Sequence, residues 1–141
     1  MKELVPGRSL GNVNIGDTRS KLLQDGFKSD NIRDSNHFLK HDNLLVRLEQ
    51  DQAVQIWFEG NNLTVLSLRG KKLPKKKSAK SLKKFFRNCE PEVKGSGGFL
   101  IYCEDRGIEL VFSFSGDFQG LSIITQSVAE SVTGQPFIKK K

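Results

Sequence analysis

The segment LLVRLEQDQAVQIWFEG, residues 44–60, decides the fold. Leu44, Val46 and Leu48 alternate with Leu45, Arg47 and Glu49, a period of two. Successive side chains of a strand point to opposite faces, so alternate positions share one face. Gln50-Asp51 breaks the pattern, and Val54, Ile56 and Phe58 then alternate with Gln55, Trp57 and Glu59. Strands joined by so short a turn pair antiparallel. This reading sends Leu44, Val46, Leu48, Val54, Ile56 and Phe58 to the core. It leaves Arg47, Gln55, Trp57 and Glu59 on a face open to water.

The pattern extends in both directions. Upstream, Phe38-Leu39 begins a strand and His41-Asp42-Asn43 reads as a turn. Downstream, Gly60-Asn61-Asn62 turns the chain and residues 63–68 continue the meander. Before the meander, Asp17 or Thr18 can cap a short helix and Gly26 can end it, with Leu22, Leu23 and Phe27 facing inward. The chain ahead of that helix reads as an irregular lead-in, in which Val13 and Ile15 alternate with Asn12 and Asn14 as a short strand or extended arm.

The second half repeats the order. Ser78 caps a helix in which Ala79, Leu82, Phe85, Phe86 and Cys89 recur at spacings of three and four. Its polar side carries Lys80, Lys83, Lys84 and Arg87. Pro91 and the Gly95-Ser96-Gly97-Gly98 connection follow. Phe99, Ile101 and Cys103 alternate with Leu100, Tyr102 and Glu104, and Asp105-Arg106-Gly107 turns the chain. Ile108, Leu110, Phe112 and Phe114 then alternate with Glu109, Val111 and Ser113, and residues 118–125 form the last strand. Residues 127–131 suit one helical turn, and residues 134–141 a mobile end.

The fold class expected is therefore α+β: two helix-plus-antiparallel-meander units forming one curved sheet or two joined sheets, with both helices on one face. The units are residues 1–70 and 71–141, sharing one compact domain. HFLKHDNLLVRLEQ and GFLIYCEDRGIELVF align around Phe-Leu, an acidic turn and an alternating strand, as an internal duplication would.

Charge is concentrated. Ten of the 23 basic residues lie in residues 69–87, RGKKLPKKKSAKSLKKFFR, which contains no acid. Lys139 to Lys141 end the chain, and what remains carries a balance of −6 against the overall +7. Such a cluster steers an anionic partner to one side of a molecule. No segment reaches the ~20 apolar residues of a membrane span. The opening MKELVPGRSLGNV has no apolar run of signal-peptide length. Cys89 and Cys103 flank a Gly-rich loop and could pair in an oxidising compartment; without an export signal, reduced thiols and a cytoplasmic location are the expectation.

The segment Val13-Asn14-Ile15-Gly16-Asp17-Thr18-Arg19-Ser20-Lys21-Leu22-Leu23 resembles an opening of small bacterial helix-plus-sheet modules. There a hydrophobic-Gly-x-Thr turn leads into a short helix. The β-lactamase-inhibitor-like proteins and the outer-membrane assembly lipoproteins share it, and the former carry two such units in tandem. Those relatives are secreted or lipid-anchored, and the second helix here lacks the Gly-x-Thr opening. The resemblance implies a fold that binds a protein through its sheet or loops rather than one that catalyses. It transfers no functional residue.

Catalytic chemistry finds little support. His37 and His41 have a four-residue spacing but lie in a strand and turn, not on one helix face. Cys89 and Cys103 lack a Cys-x-x-Cys spacing, and the acids Asp42, Asp51, Glu59, Asp105 and Asp117 are spread over turns. The glycines form neither a phosphate loop nor a dinucleotide fingerprint. No enzyme activity, cofactor or metal is expected.

Two surfaces remain. Trp57, with Arg47, Glu59 and Tyr102, has the composition of a binding hot spot on the open sheet face. Lys75, Lys76, Lys77, Lys80, Lys83, Lys84 and Arg87 form a basic surface suited to an acidic patch. The function expected is stoichiometric protein binding by a monomer or weak dimer, as in a bacterial immunity protein or antitoxin that occludes a toxin's active or substrate site. The alternative is an RNA- or DNA-binding accessory protein. Against it, eight of the ten cations are lysines, and Phe85 and Phe86 fall on the core face, away from any stacking platform.

Overall fold

The structure is a computed structural model that describes residues 1–29, 36–125, 127 and 128. Three short strands open the chain: β1 (Lys2–Val5), β2 (Ser9–Leu10) and β3 (Val13–Asn14). Helix α1 (Arg19–Gln24) follows, then β4 (Phe38–His41), β5 (Leu44–Glu49) and β6 (Gln52–Phe58). After a 3-10 turn at Leu63–Val65 come β7 (Leu66–Leu68), β8 (Lys71–Lys72) and helix α2 (Ala79–Phe85). The chain continues with β9 (Val93–Lys94), β10 (Gly98–Cys103), β11 (Ile108–Ser113) and β12 (Phe118–Ile124).

The strands make two sheets in a mixed α+β fold. The larger has seven strands in the order β4-β5-β6-β12-β11-β10-β9, with every neighbouring pair antiparallel. Two meanders thus meet at their last strands, β6 against β12. The smaller has the order β3-β2-β1-β7-β8, in which β1 and β7 run parallel. Two expectations change here. The lead-in before Val13, expected to be irregular, holds strands β1 and β2, and the short strand offered at Val13 is β3. The segment 63–68 does not continue the meander but crosses to pair with the N-terminus.

Both helices are capped as the sequence predicts. The Thr18 hydroxyl accepts the Lys21 amide at 3.2 Å, and the Ser78 hydroxyl accepts that of Ser81 at 3.2 Å. Gly26 takes the left-handed conformation past α1, at φ 98°. Leu22 and Leu82 are fully buried, whereas Leu23, expected inward, is 51% exposed. Gln50 and Asp51 both adopt positive φ, 52° and 57°. That backbone suits a two-residue hairpin whose twist matches its strands. Helix α1 braces it: the Arg19 amide donates to the Asp51 carbonyl at 3.0 Å and its Nε to the Asp51 carboxylate at 2.9 Å.

One hydrophobic cluster joins all layers. It contains Leu4, Leu10, Leu66 and Leu68 from the small sheet, Leu22 from α1, and Leu82 and Phe86 near α2. From the large sheet it takes Leu44, Val46, Leu48, Ile56, Phe58, Ile101, Cys103, Ile108, Leu110, Phe112, Leu121 and Ile123. Val54 is a correction. Register shifts between Arg47, opposite Gln55, and Leu48, opposite Ala53, so Val54 is one residue too many. Ala53 takes the core position, and Val54 packs with Tyr102, Ile124 and Val128 in a second, small cluster. Phe114, also expected in the core, lies beyond the end of β11 and is 58% exposed.

The two cysteines are bonded. Cys89 and Cys103 form a disulfide with Cα atoms 4.0 Å apart, so the expectation of reduced thiols is overturned. Cys89 is carried past the end of α2 to the sheet by Asn88, at φ 56°. Of the expected C-terminal turn, only Ser127 and Val128 are described. The mobile end and Lys139 to Lys141 lie outside the described residues.

Candidate functional site: the open sheet face

Residues that alternate with the core set line a cavity of about 920 Å³. Its lining includes Phe38 on edge strand β4 and Val93 on the opposite edge strand β9. In a flat seven-stranded sheet those edges would stand roughly 29 Å apart, six strand spacings. One cavity lined from both edge strands is the geometry of a twisted sheet that curls round its open face. The open face is therefore concave. Its walls are Phe38, Leu45, Trp57, Leu100 and Val111, closed on one side by the 95–98 loop.

A row of directly paired residues crosses the floor. Tyr102 faces Glu109, Glu109 faces Ser122, Ser122 faces Trp57, and Trp57 faces Leu45. The Tyr102 hydroxyl donates to Glu109 Oε2 at 2.8 Å, and the Ser122 hydroxyl approaches Oε1 at 3.5 Å. From the next position along β6, Gln55 Nε2 donates to the Ser122 hydroxyl at 3.0 Å and approaches Glu109 Oε1 at 3.4 Å. Among the described residues, Gln55, Glu109 and Ser122 are the buried polar or charged side chains, and all three belong to this network.

Burial pushes the Glu109 carboxyl above its ordinary value, and the bonds from Tyr102 and Ser122 offset this only in part. Burial and the adjacent Glu109 raise the Tyr102 phenol in turn. A carboxyl raised by burial on the floor of a cleft is a recurrent sign of a working site.

The sequence-predicted residues of this face separate. Trp57 is half-buried on the cavity wall, and its ring lies over Gly120, where an added Cβ would sit 3.7 Å from it. Arg47 also lines the wall, bonded to Glu49 at 3.1 Å, and Glu59 lies at the mouth, paired with Lys40 at 3.3 Å. Tyr102 is on the expected face but only 1% exposed. It serves the floor through Glu109 and offers a partner no surface of its own. Glu109 escaped the sequence reading. Its signal was an acid at an alternating position between Ile108 and Leu110 in a strand otherwise apolar up to Phe112.

The basic segment lies apart from the cavity. Leu82 and Phe86 hold α2 on the core side, while Lys80, Lys83 and Lys84 face water from the helix; Arg87, expected on the same helix, is exposed just past its end, where Phe86 is already extended. Lys75 and Lys76 are exposed in the preceding loop, and Lys77 donates to the Asn61 carbonyl at 3.0 Å. Phe85 and Phe86 lie edge to face with one another, Phe86 within the core and Phe85 packed against it, on the side the sequence predicts.

Both ends of the segment are pinned to the corner between β10 and β11. Glu104, Asp105 and Arg106 turn that corner with φ of 57°, 52° and 75°. Arg69 forks onto the Glu104 carboxylate at 2.6 and 3.0 Å, and the Arg87 amide reaches the same group at 2.6 Å. The disulfide to Cys103 and the Arg106–Glu90 pair at 2.6 Å complete the anchor. Burial resists ionisation of Glu104, yet the bonds from Arg69 and the Arg87 amide outweigh it and hold the carboxyl below its ordinary value.

Comparison of the chain with family models, with curated proteins and with solved structures finds no match.

Proposed function

We propose that this protein is a non-enzymatic binding module of the immunity or antitoxin kind, which receives a protein partner on the concave sheet face and occludes the partner's active or substrate site. The observation that carries the reading is Trp57, a half-buried aromatic on the wall of an open cavity beside Arg47. Aromatic anchors with arginine neighbours dominate binding energy where water is excluded around them. The lysine segment is the steering element in this reading. It draws an acidic patch of the partner toward the molecule before the concave face engages. Two units with their helices on one face would leave the opposite face free for this role, as in the tandem modules that Val13–Leu23 resembles. The protein acts as a monomer or weak dimer.

The disulfide bears on the compartment. Such bonds persist in oxidising surroundings and are rare in the cytosol. It therefore favours action outside the cytoplasm over the location expected from the sequence.

Partner capture from lysate at ~150 mM salt, with nuclease treatment, tests the reading near physiological screening. A stoichiometric protein retained by the unaltered chain and lost by Trp57→Ala supports it. Equal retention by both overturns it.

A second reading has its own observation. Lys71, Lys72, Lys75, Lys76, Lys80, Lys83, Lys84 and the Arg87 side chain have no acidic partner among the described residues. Among the described cations of the body, by contrast, Arg19, Lys21, Lys40, Arg47 and Arg106 each have an acidic partner. An RNA- or DNA-binding role would use these charges on phosphates, with affinity falling steeply as salt rises. Retained nucleic acid that disappears in the Lys75→Glu, Lys76→Glu, Lys77→Glu variant would favour this second reading.

A further inference from the structure

The cavity floor holds a carboxyl group that the docking of an aromatic surface does not require. Glu109 is 2% exposed, and among the described residues no cation pairs with it. Its neighbours on β10, β12 and β6 are Tyr102, Ser122 and Gln55, all of them neutral hydrogen-bond donors. The other charged groups of the lining are already engaged or sit at the rim. Arg47 is bonded to Glu49, Glu59 pairs with Lys40, and Lys94 lies over the Phe114 ring at 5.8 Å.

An apolar floor would have cost less. Burying a carboxyl is unfavourable in either protonation state unless its bonds are satisfied. Here two of the approaches, at 3.4 and 3.5 Å, are long. A carboxylate has about four acceptor sites, so three neutral donors leave capacity for one more. The group that matches a buried carboxylate at the end of an apolar passage is a cation on an apolar stem. A guanidinium fits best, because it is planar, permanently charged and less strongly hydrated than an ammonium.

We propose that the cavity floor is a recognition site for one arginine side chain of the protein partner, its guanidinium received by Glu109 and its stem lying along the Trp57 wall. This rests on the docking reading given above and names the chemistry of its centre. Trp57 stands two strand positions from Glu109, about 10 Å across the sheet. An extended arginine entering past Trp57 therefore reaches the floor.

The probe is butylguanidinium, with butylurea as its uncharged counterpart of the same shape and butyrate as its opposite in charge. Trp57 is the chain's one tryptophan, so its fluorescence reports from the cavity wall. Butylguanidinium should give a saturable change, at least tenfold tighter than butylurea, with none from butyrate. Glu109→Gln keeps the size and the acceptor for Tyr102, and it should weaken butylguanidinium at least tenfold. Glu3→Gln, which removes an exposed carboxylate on β1 outside the cavity lining, should leave the probe's affinity unchanged. Equal affinity for butylguanidinium and butylurea on the unaltered protein would overturn the proposal without reference to any variant. If that occurs while Trp57→Ala still loses the partner, the arginine site falls and the docking reading stands. Retention of the partner by Trp57→Ala would remove the docking reading by itself.

Discussion

The concave face and the lysine segment are built on opposite principles. On the concave face the polar groups are buried and bonded to one another, and position comes from strand register. In the lysine segment the charges are solvated, and position comes from anchors at its two ends. Exposed charges contribute little to stability whether paired or not. The segment's lysines are therefore free to change without loss of fold, whereas its anchors are not. Specific recognition belongs with the buried network and long-range attraction with the solvated charges.

The largest expected effect breaks the anchor of the segment. Replacing both Cys89 and Cys103 by Ser opens a loop of 14 residues' separation and should cost about 3 kcal/mol in denaturant unfolding. Cavity binding of small probes should persist in that variant at temperatures where it is folded. An unchanged denaturation midpoint would show that the bond contributes nothing to the anchor.

Next in size is Glu104→Ala, which strands the Arg69 fork and the Arg87 amide together. Its cost should be about 2 kcal/mol. The sign of its pH dependence follows from a folded-state carboxyl held below its unfolded value. Its stabilisation is fully present above the unfolded value and is lost as pH falls through the lowered folded one. Unaltered protein should lose stability on acidification across that window more steeply than Glu104→Ala. Parallel profiles would remove Glu104 as the clamp.

Glu109 runs the other way. Its folded carboxyl is raised, so folding favours the protonated form. Stability falls as pH rises from the ordinary carboxylate value through the raised one. Glu109→Gln should abolish that loss and match or exceed the unaltered protein at neutral pH, by less than either anchor effect. A fall in the neutral-pH midpoint would mean that the network stabilises the fold rather than serving a ligand. The smallest effect belongs to Lys75→Glu, Lys76→Glu, Lys77→Glu, within about 0.5 kcal/mol per site. A cooperative loss beyond that would give the loop a structural role.

Strand positions and both helix caps are legible in the chain because they depend on neighbours. Alternation over residues 44–58 and the hydroxyls of Thr18 and Ser78 act within a few residues. The misplaced elements depend on distant partners. Strand β7 leaves the meander to pair with β1 across more than sixty residues of sequence, which no local period reports. Val54 leaves the core face because a bulge inserts one extra residue there, while Ile56, Trp57 and Phe58 beyond it keep the faces their alternation predicts. The candidate site divides along the same line. Trp57 and Arg47 stand on the face their alternation predicts. Glu109 becomes meaningful only once register places Tyr102 and Ser122 on either side of it. The disulfide likewise requires that α2 end against β10, a tertiary fact.

The central claim is that partners engage the concave face. Acrylamide quenching of Trp57, measured with the captured partner bound and free, tests it most directly, since no other tryptophan of this chain contributes. With a tryptophan-free version of the partner, the account predicts that binding removes most of the quencher's access to Trp57. Full complex formation with Trp57 quenched as readily as in the free protein would contradict it.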